Sequence, residues 1–365
     1  MSIRIVSLDA EPLSVPLVEP FTIASGVMEA TRAVLVRVVL DGEGGARAEG
    51  LGEAAALPPV TREDQPELRA ALARAKETLE GIMFAEPAAL APRLDAAFAD
   101  TPVARAGVEC AILDAWARLR GLPLHAALGG PEVAAPLDTD ITLPINTPAH
   151  MAELGVAWSA RGFTCFKVKV GRDWQADLAA LRATHAAVPA ARFRLDANGG
   201  FAATDALALL DAALAAGLAI ECFEQPCGRD DLAGMAEVVA RGGVPVVADE
   251  SLRSAADLER LVAARACHGV NLKLAKLGGP LAALDLGRRA REAGLSLMAG
   301  AMVETRLGLV AMAHVVAALG GVEYVDLDTA FLLAEERFEG GWEARGPRLS
   351  LSGAPGLDVR LAAPR

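Results

Sequence analysis

Between Phe163 and Lys273 the chain repeats a short apolar run that ends in a charged residue. FKVKV carries Lys167 and Lys169, FRLDAN reaches Asp196, IECFEQP holds Glu224, VPVVADE reaches Asp249 and GVNLKLAK carries Lys273. From Lys169 onward the charges advance in steps of 27, 28, 25 and 24 residues. A strand of about five residues, a helix of ten to fifteen and two short loops fill such a step, and eight such βα units close a barrel of roughly 200 residues. Each charge then stands at the same end of its strand. In a parallel barrel the loops at the C-terminal rim converge on one mouth, where the chemistry of such folds is placed. The spacing therefore predicts three carboxylates and their flanking lysines in a single mouth.

One barrel leaves more than a hundred of the 365 residues over, so a second structural part is expected. Residues 1 to about 60 read as an antiparallel meander: Ile3 to Val15, Ala33 to Leu40 and Ala46 to Gly52 are strand-like, with DGEGG (Asp41 to Gly45) as a turn. PFTIASGVMEA (Pro20 to Ala30) is too long for a tight hairpin and is expected to form a functional loop hinged at Gly26. Helical spacing follows at Leu68 to Gly81, Ala88 to Phe98 and Ala104 to Gly121. Asp138 to Leu143 reads as the first barrel strand, and amphipathic helices are expected from Pro148, Trp174, Thr204, Asp230, Ser254 and Pro280. The rhythm continues through LSLMAGAMVE and VEYVDLD and stops near Thr329. The expected division is an α+β capping domain over 1–127, the barrel over 128–328, and a tail over 329–365 that packs on the capping domain.

A net charge of −12 argues against a nucleic-acid or anionic-membrane surface and for a small-molecule substrate. No apolar run reaches the ~18 residues of a membrane span, and MSIRIVSLDAEPLSV alternates like a strand where a signal peptide would carry an apolar block. A cytoplasmic homo-oligomer is expected. Cys110, Cys165, Cys222, Cys227 and Cys267 are odd in number and form no C-x-x-C pair, so they read as core residues.

Asp196, Glu224 and Asp249 would repel one another if packed together without a counter-ion. All-oxygen ligands favour Mg2+ over zinc, and three carboxylates leave positions open for substrate. The bland alternative is three rim carboxylates, each paired with a surface arginine. Lys167 and Lys169, two apart on one strand, both face the barrel interior. Near a second ammonium and a metal ion such a lysine is expected to titrate towards neutrality and serve as a base. Lys273 falls across the mouth from Lys169, so proton removal from one face of a carbon and return to the other is suggested. The competing reading is lysines snorkelling to the rim. Lys276 reads as a loop lysine.

KVKVG (Lys167 to Gly171), LDANGG (Leu195 to Gly200), FEQP (Phe223 to Pro226), ADES (Ala248 to Ser251) and NLKLAKLGG (Asn271 to Gly279) resemble the muconate-lactonizing branch of the enolase superfamily. The likeness extends to GEAAALP at Glu53 and LHAALGG at Leu124. The resemblance implies a modified (β/α)7β TIM-like barrel with an α+β capping domain made from both chain ends. It also implies that Asp196, Glu224 and Asp249 bind Mg2+, that Lys169 and Lys273 are the acid/base pair, and that Lys167 helps hold a substrate carboxylate. The shared chemistry is abstraction of the proton alpha to a carboxylate, a pattern in which a lysine base works with Mg2+.

VDLDTAFLL, with Asp326 and Asp328, is similar to the D-x-D motif of dipeptide epimerases, where two carboxylates suit the α-ammonium of a dipeptide. Thr142 in TDITL matches a substrate-contacting threonine of those enzymes, and Ala301 and Val303 fall where backbone contacts to the peptide are expected. The alternatives are an N-acylamino-acid racemase or o-succinylbenzoate synthase, a muconate-type cycloisomerase, and a non-catalytic binding protein on the same barrel; the aspartates could also merely cap the barrel end. Epimerases that take an acidic second residue tend to carry a basic residue in the Pro20 to Ala30 loop. Thr22, Ile23, Ser25, Gly26, Val27 and Met28 supply none, so a neutral or hydrophobic dipeptide is expected unless Arg32 or Arg306 reaches in.

Overall fold

The computed structural model describes residues 2–24 and 26–363. Ser25, one of the loop residues weighed for specificity, lies outside them. The chain opens with an antiparallel sheet of four strands in the order β5-β4-β1-β6: β1 (Ile3–Leu13), β4 (Arg32–Asp41), β5 (Arg47–Ala56) and β6 (Met83–Phe84). The β4/β5 ladder runs unbroken from Arg32 opposite Ala56 to Asp41 opposite Arg47, and DGEGG makes the turn between them with Gly44 at φ 68°. Between β1 and β4 the structure departs from the expected loop. Pro16–Ile23 (β2) and Gly26–Ala30 (β3) pair as a hairpin, with Ile23 opposite Gly26 and a register break between Pro16 and Phe21. That break absorbs the extra length that argued against a hairpin. Its tip is tied to the barrel: the Ile145 amide donates to Thr22 O (3.0 Å) and Arg172 Nη2 to Ile23 O (2.8 Å).

Helices α1 (Gln65–Leu79), α2 (Ala91–Ala97), α3 (Pro102–Leu119) and α4 (Leu124–Ala127) complete the cap. Asp64 starts α1 with a reciprocal capping box to Glu67. Helix α3 is buried nearly all round because the sheet lies on one side and the barrel on the other, which is why its sequence is small and apolar on every face. The approach to β5 is so close that a Cβ on Gly52 would meet Gly107 O at 2.0 Å and one on Gly50 would meet Ala111 O at 2.1 Å. Only glycine fits those two positions.

The barrel is one parallel sheet of eight strands in sequence order: β8 (Ile141–Leu143), β9 (Cys165–Lys169), β10 (Arg192–Asp196), β11 (Ala219–Glu224), β12 (Val246–Ala248), β13 (Gly269–Leu272), β14 (Ser296–Ala299) and β15 (Tyr324–Val325). A hydrogen bond from the Asp140 amide to Val325 O (3.1 Å) links its two edges. The crossovers are α5 (Pro148–Ala160), α6 (Trp174–Ala187), α7 (Ala203–Ala215), α8 (Leu232–Arg241), α9 (Ala255–Ala264), the short α10 (Leu274–Leu277) with α11 (Pro280–Glu292), and α12 (Arg306–Leu319). The last of these has no counterpart in the helices expected from periodicity. It is apolar on every face because barrel, cap and tail all pack on it. Leu137–Asp138 (β7), expected to begin the first barrel strand, instead pairs antiparallel with the tail. The tail strands are β16 (Phe338–Gly340), β17 (Trp342–Arg345), β18 (Arg348–Leu351) and β19 (Val359–Leu361). They touch both parts of the molecule, β18 pairing β7 while the Leu357 amide donates to the buried Asp114 of α3 (2.7 Å). Among the described residues no helix is long and apolar enough to cross a membrane.

Candidate active site

Lys169, Asp196 and Glu224 are the last residues of β9, β10 and β11 and lie abreast in register; Asp249 and Lys273 each follow the last residue of their strand by one. Parallel pairing, with one register shift between Phe193 and Arg194 on the β10/β11 ladder, thus turns the even sequence spacing into one ring of charge. β9 and β13 are four steps apart in an order of eight, so Lys169 and Lys273 stand on opposite sides of the mouth.

All of these side chains are buried, so each needs a partner. Lys169 Nζ lies 2.6 Å from Asp196 Oδ2. Lys167 Nζ is 2.6 Å from Asp326 Oδ2, 2.7 Å from Glu224 Oε2 and 3.1 Å from Asp196 Oδ2. Its approach to Glu224 Oε2 is off the direction of a hydrogen bond, so that oxygen has a charge contact and no donor. Lys273 Nζ sits 2.7 Å from Asp249 Oδ2. Lys276, read from the sequence as a loop lysine, is instead buried and donates to Asp249 Oδ1 (2.5 Å) and O (2.6 Å).

Burial works to raise the carboxyls of Asp196 and Asp249, but the neighbouring ammonium groups outweigh it and hold both well below the usual range. Glu224 goes the other way, raised by burial and then by Asp196. The expectation that the lysines titrate towards neutrality is corrected for Lys167 and Lys273. Burial pulls both down, yet the carboxylates around them prevail and push both above the ordinary lysine value. The anionic neighbours outnumber what a second ammonium can offset.

A second carboxylate cluster lies beside the first. Asp140, Asp326 and Asp328 each place an oxygen within 4.8 Å of the others, the one such acidic triplet among the described residues. Asp196, Glu224 and Asp249 are not gathered that tightly, because lysine ammonium groups stand among them. Asp140 is held by Arg194 (2.8 Å), Asp326 by Lys167, and Asp328 Oδ2 by the Thr142 amide (2.5 Å). Asp140 Oδ1 and Asp328 Oδ1 are buried without a partner. Burial, then Asp326, pushes Asp328 up to about 7 and Asp140 well above its ordinary value; Lys167 and Lys169 overcome burial to hold Asp326 low.

Thr142, Lys167, Lys169, Lys273, Ala301, Val303, Asp326 and Asp328 all line one cavity, together with Phe21 and Ile23 of the hairpin. Its free volume is about 30 Å3, too little for a dipeptide. Neither arginine considered as an intruder reaches it: Arg32 is bound to Asp64, and Arg306 to Glu336 and tail carbonyls.

Several functional neighbours escaped the sequence reading although the signal for them was present. The parity that put Lys167 and Lys169 on one face also puts Arg194 below Asp196, Asn271 below Lys273 and Asp140 below Thr142. Asn271 Nδ2 donates to Glu224 Oε1 (2.7 Å) and Arg194 holds Asp140, so this lower layer orients the upper one. Glu53, in GEAAALP, joins the cap to the barrel by accepting the Thr305 and Gly308 amides at the start of α12 (3.0 and 3.1 Å).

For a cation, the donor set of Asp196, Glu224 and Asp249 is all oxygen, and Glu224 Oε2 is a buried acceptor without a donor. Such a set fits Mg2+. In the second cluster each carboxylate already has a donor, two of them full cations.

Residues 8–129 match the mandelate racemase / muconate lactonizing enzyme N-terminal domain, and residues 150–364 match the enolase C-terminal domain-like family. The aromatic dipeptide epimerase of Herpetosiphon aurantiacus is 41% identical over 99% of this chain and 100% of its own. The substrate-liganded L-Ala-D/L-Glu epimerase of Bacillus subtilis superposes with a TM-score of 0.92 at 32% identity, covering 99% of both chains. The dipeptide epimerase of Enterococcus faecalis complexed with Mg and L-Leu-L-Tyr superposes at 0.88 with 31% identity, covering 98% of this chain and 99% of that one.

Proposed function

The chain belongs to the mandelate racemase / muconate lactonizing enzyme family of the enolase superfamily, and on that premise we propose that it is a Mg2+-dependent dipeptide epimerase acting at the α-carbon of the second residue. One observation carries this reading. A cavity with lysines on opposite strands also holds Asp326 and Asp328, part of a buried acidic cluster short of positive charge. The α-ammonium of a free dipeptide supplies that charge. An N-acylamino-acid racemase or an o-succinylbenzoate synthase acts on a substrate without such a charge. A muconate-type cycloisomerase would bring a dicarboxylate that the two aspartates repel.

In this reading Asp326 and Asp328 bind the ammonium, Thr142 and the backbone of Ala301 and Val303 contact the peptide, and Lys167 holds the carboxylate. Asp196, Glu224 and Asp249 would hold Mg2+, which supplies positive charge to stabilise the negative charge that develops on the substrate carboxylate. Lys169 removes the α-proton of the L centre, and Lys273 delivers a proton to the opposite face; the roles reverse for the D centre. A homo-oligomer working in the cytoplasm belongs to the same proposal, its location supported by five buried, unpaired cysteines of the kind kept in reducing compartments.

The test is a dipeptide library incubated with the Mg2+-loaded enzyme in deuterated water and read by mass spectrometry. One deuterium at the second α-carbon is expected in the preferred members. No incorporation in any member would overturn the proposal.

A further inference from the structure

A second cavity, of about 150 Å3, adjoins the one just described and shares Phe21 and Thr142 with it. From this we infer that the enzyme selects dipeptides whose first residue is aromatic, and that Trp158, Arg161 and Phe331 form the slot for that ring. The inference rests on the dipeptide reading of the site and adds the chemistry of the first side chain.

Position decides which end of the substrate the slot serves. The Thr142 amide holds the Asp328 carboxylate, so the shared wall is the ammonium wall. In a dipeptide the first side chain branches from the carbon that carries the ammonium. It therefore leaves the ammonium site beside Thr142 and Phe21 and meets the second cavity. The second residue, with its α-carbon between Lys169 and Lys273, lies farther along.

Lining decides the class. Leu154 and Trp158 of α5 and Phe331, just beyond Asp328, are apolar walls. The Arg161 guanidinium lies 4.1 Å from the centroid of Trp158 and 5.9 Å from that of Phe331, and among the described residues it makes no ion pair with a carboxylate. A guanidinium held against the rings of Trp158 and Phe331 gives the slot a cationic, aromatic lining that favours a further ring over an aliphatic group. The walls are stiff, because Phe163 meets Trp158 edge-on at 5.5 Å and Phe331 at 5.6 Å. A planar ring loses little freedom in a preformed slot. Basic first residues are disfavoured by Arg161, and an acidic one, which Arg161 would attract, meets the Glu19 carboxylate in the same slot.

The experiment measures kcat/KM for Phe-Ala, Tyr-Ala, Leu-Ala, Ala-Ala, Glu-Ala and Lys-Ala by α-deuterium exchange with the Mg2+-loaded enzyme. The ratio of Phe-Ala to Ala-Ala is expected to be at least about tenfold, and to fall towards one in Trp158→Ala. Since Trp158 also packs on Phe163, Leu154→Trp serves as the second variant: it fills the slot from the helix side without removing a core ring, and should lower the same ratio about tenfold or more. A wild-type preference for Ala-Ala, or a ratio that neither variant moves, overturns the slot and leaves the epimerase reading standing. No exchange on any dipeptide overturns both.

Discussion

The two carboxylate triplets in this mouth share burial and residue type and differ in how their charge is answered. Around Asp196, Glu224 and Asp249 stand four ammonium groups, those of Lys167, Lys169, Lys273 and Lys276. Around Asp140, Asp326 and Asp328 stand one guanidinium and a share of Lys167. The first triplet holds Asp196 and Asp249 ionised, whereas in the second Asp328 is lifted to about 7 and burial pushes Asp140 well above its ordinary value. The difference separates two jobs. In the first site the carboxylates hold Lys167 and Lys273 charged, while the second, short of cations, suits the proposed role of receiving one from the substrate.

The largest effect should come from disturbing the first triplet. Treatment with EDTA is expected to abolish epimerisation, and added Mg2+ to restore it. Full activity in a demonstrably metal-free enzyme would erase the distinction between the two clusters, because the lysines would then be usable while still paired to carboxylates.

The next largest concerns the lysines themselves. Lys169→Ala and Lys273→Ala should each stop epimerisation, a loss on the order of 100- to 10,000-fold for a missing acid/base group. Neither should stop all proton exchange. In deuterated water Lys273→Ala still washes out the α-proton of the L,L epimer, and Lys169→Ala only that of the L,D epimer. Proton NMR of both pure epimers with both variants reads the crossed pattern of two exchanges and two blanks. A single variant that still interconverts the epimers at an appreciable rate would show that the lysine it lost is not a base.

The first triplet was legible in the sequence and the second only in part, for a physical reason. Asp196, Glu224 and Lys169 end their strands and Asp249 and Lys273 stand one residue past theirs, so one spacing places them all. Asp326 and Asp328 came from a local motif, and Asp140 and Arg194, one layer down, were missed although they share the inward parity of Thr142 and Asp196. Two larger elements were misread because packing overrode pattern. Helix α12 shows no amphipathic period since three parts of the molecule cover it, and the Pro16–Ala30 hairpin hides behind a register break. Lys276 looked like a loop residue because nothing local indicates that α10 tucks it onto Asp249.

The second triplet can be probed by removing its charge. Asp328→Asn keeps the shape and should cost dipeptide turnover about 2 to 5 kcal/mol, the range for stranding one member of a buried charge pair. On an N-acylated analogue, whose nitrogen is uncharged, the same variant should cost far less. Parallel kcat/KM measurements on the two substrates check this. Equal losses would assign Asp328 a structural part and move the enzyme towards the acylamino-acid class.

The smallest effect is also the one that reads the contrast most directly, through pH. With burial and Asp326 holding Asp328 near 7, the group is protonated below that pH and cannot attract an ammonium; above it the carboxylate is ionised. The dipeptide's own α-ammonium is lost near pH 8. A plot of kcat/KM against pH should therefore rise about tenfold per unit up to roughly 7 and fall above roughly 8. In Asp328→Asn the acid limb should vanish and the alkaline limb persist. Stability should run the opposite way. A carboxyl raised above its unfolded value contributes stability that is full below about pH 4 and lost as pH rises through about 7. The asparagine variant, with nothing there to ionise, should thus melt above the wild type at pH 8 and lose that advantage at pH 5. A wild type whose acid limb and melting temperature are both unchanged by the substitution would place Asp328 among ordinary ionised carboxylates, and the two triplets would then differ in neighbours alone.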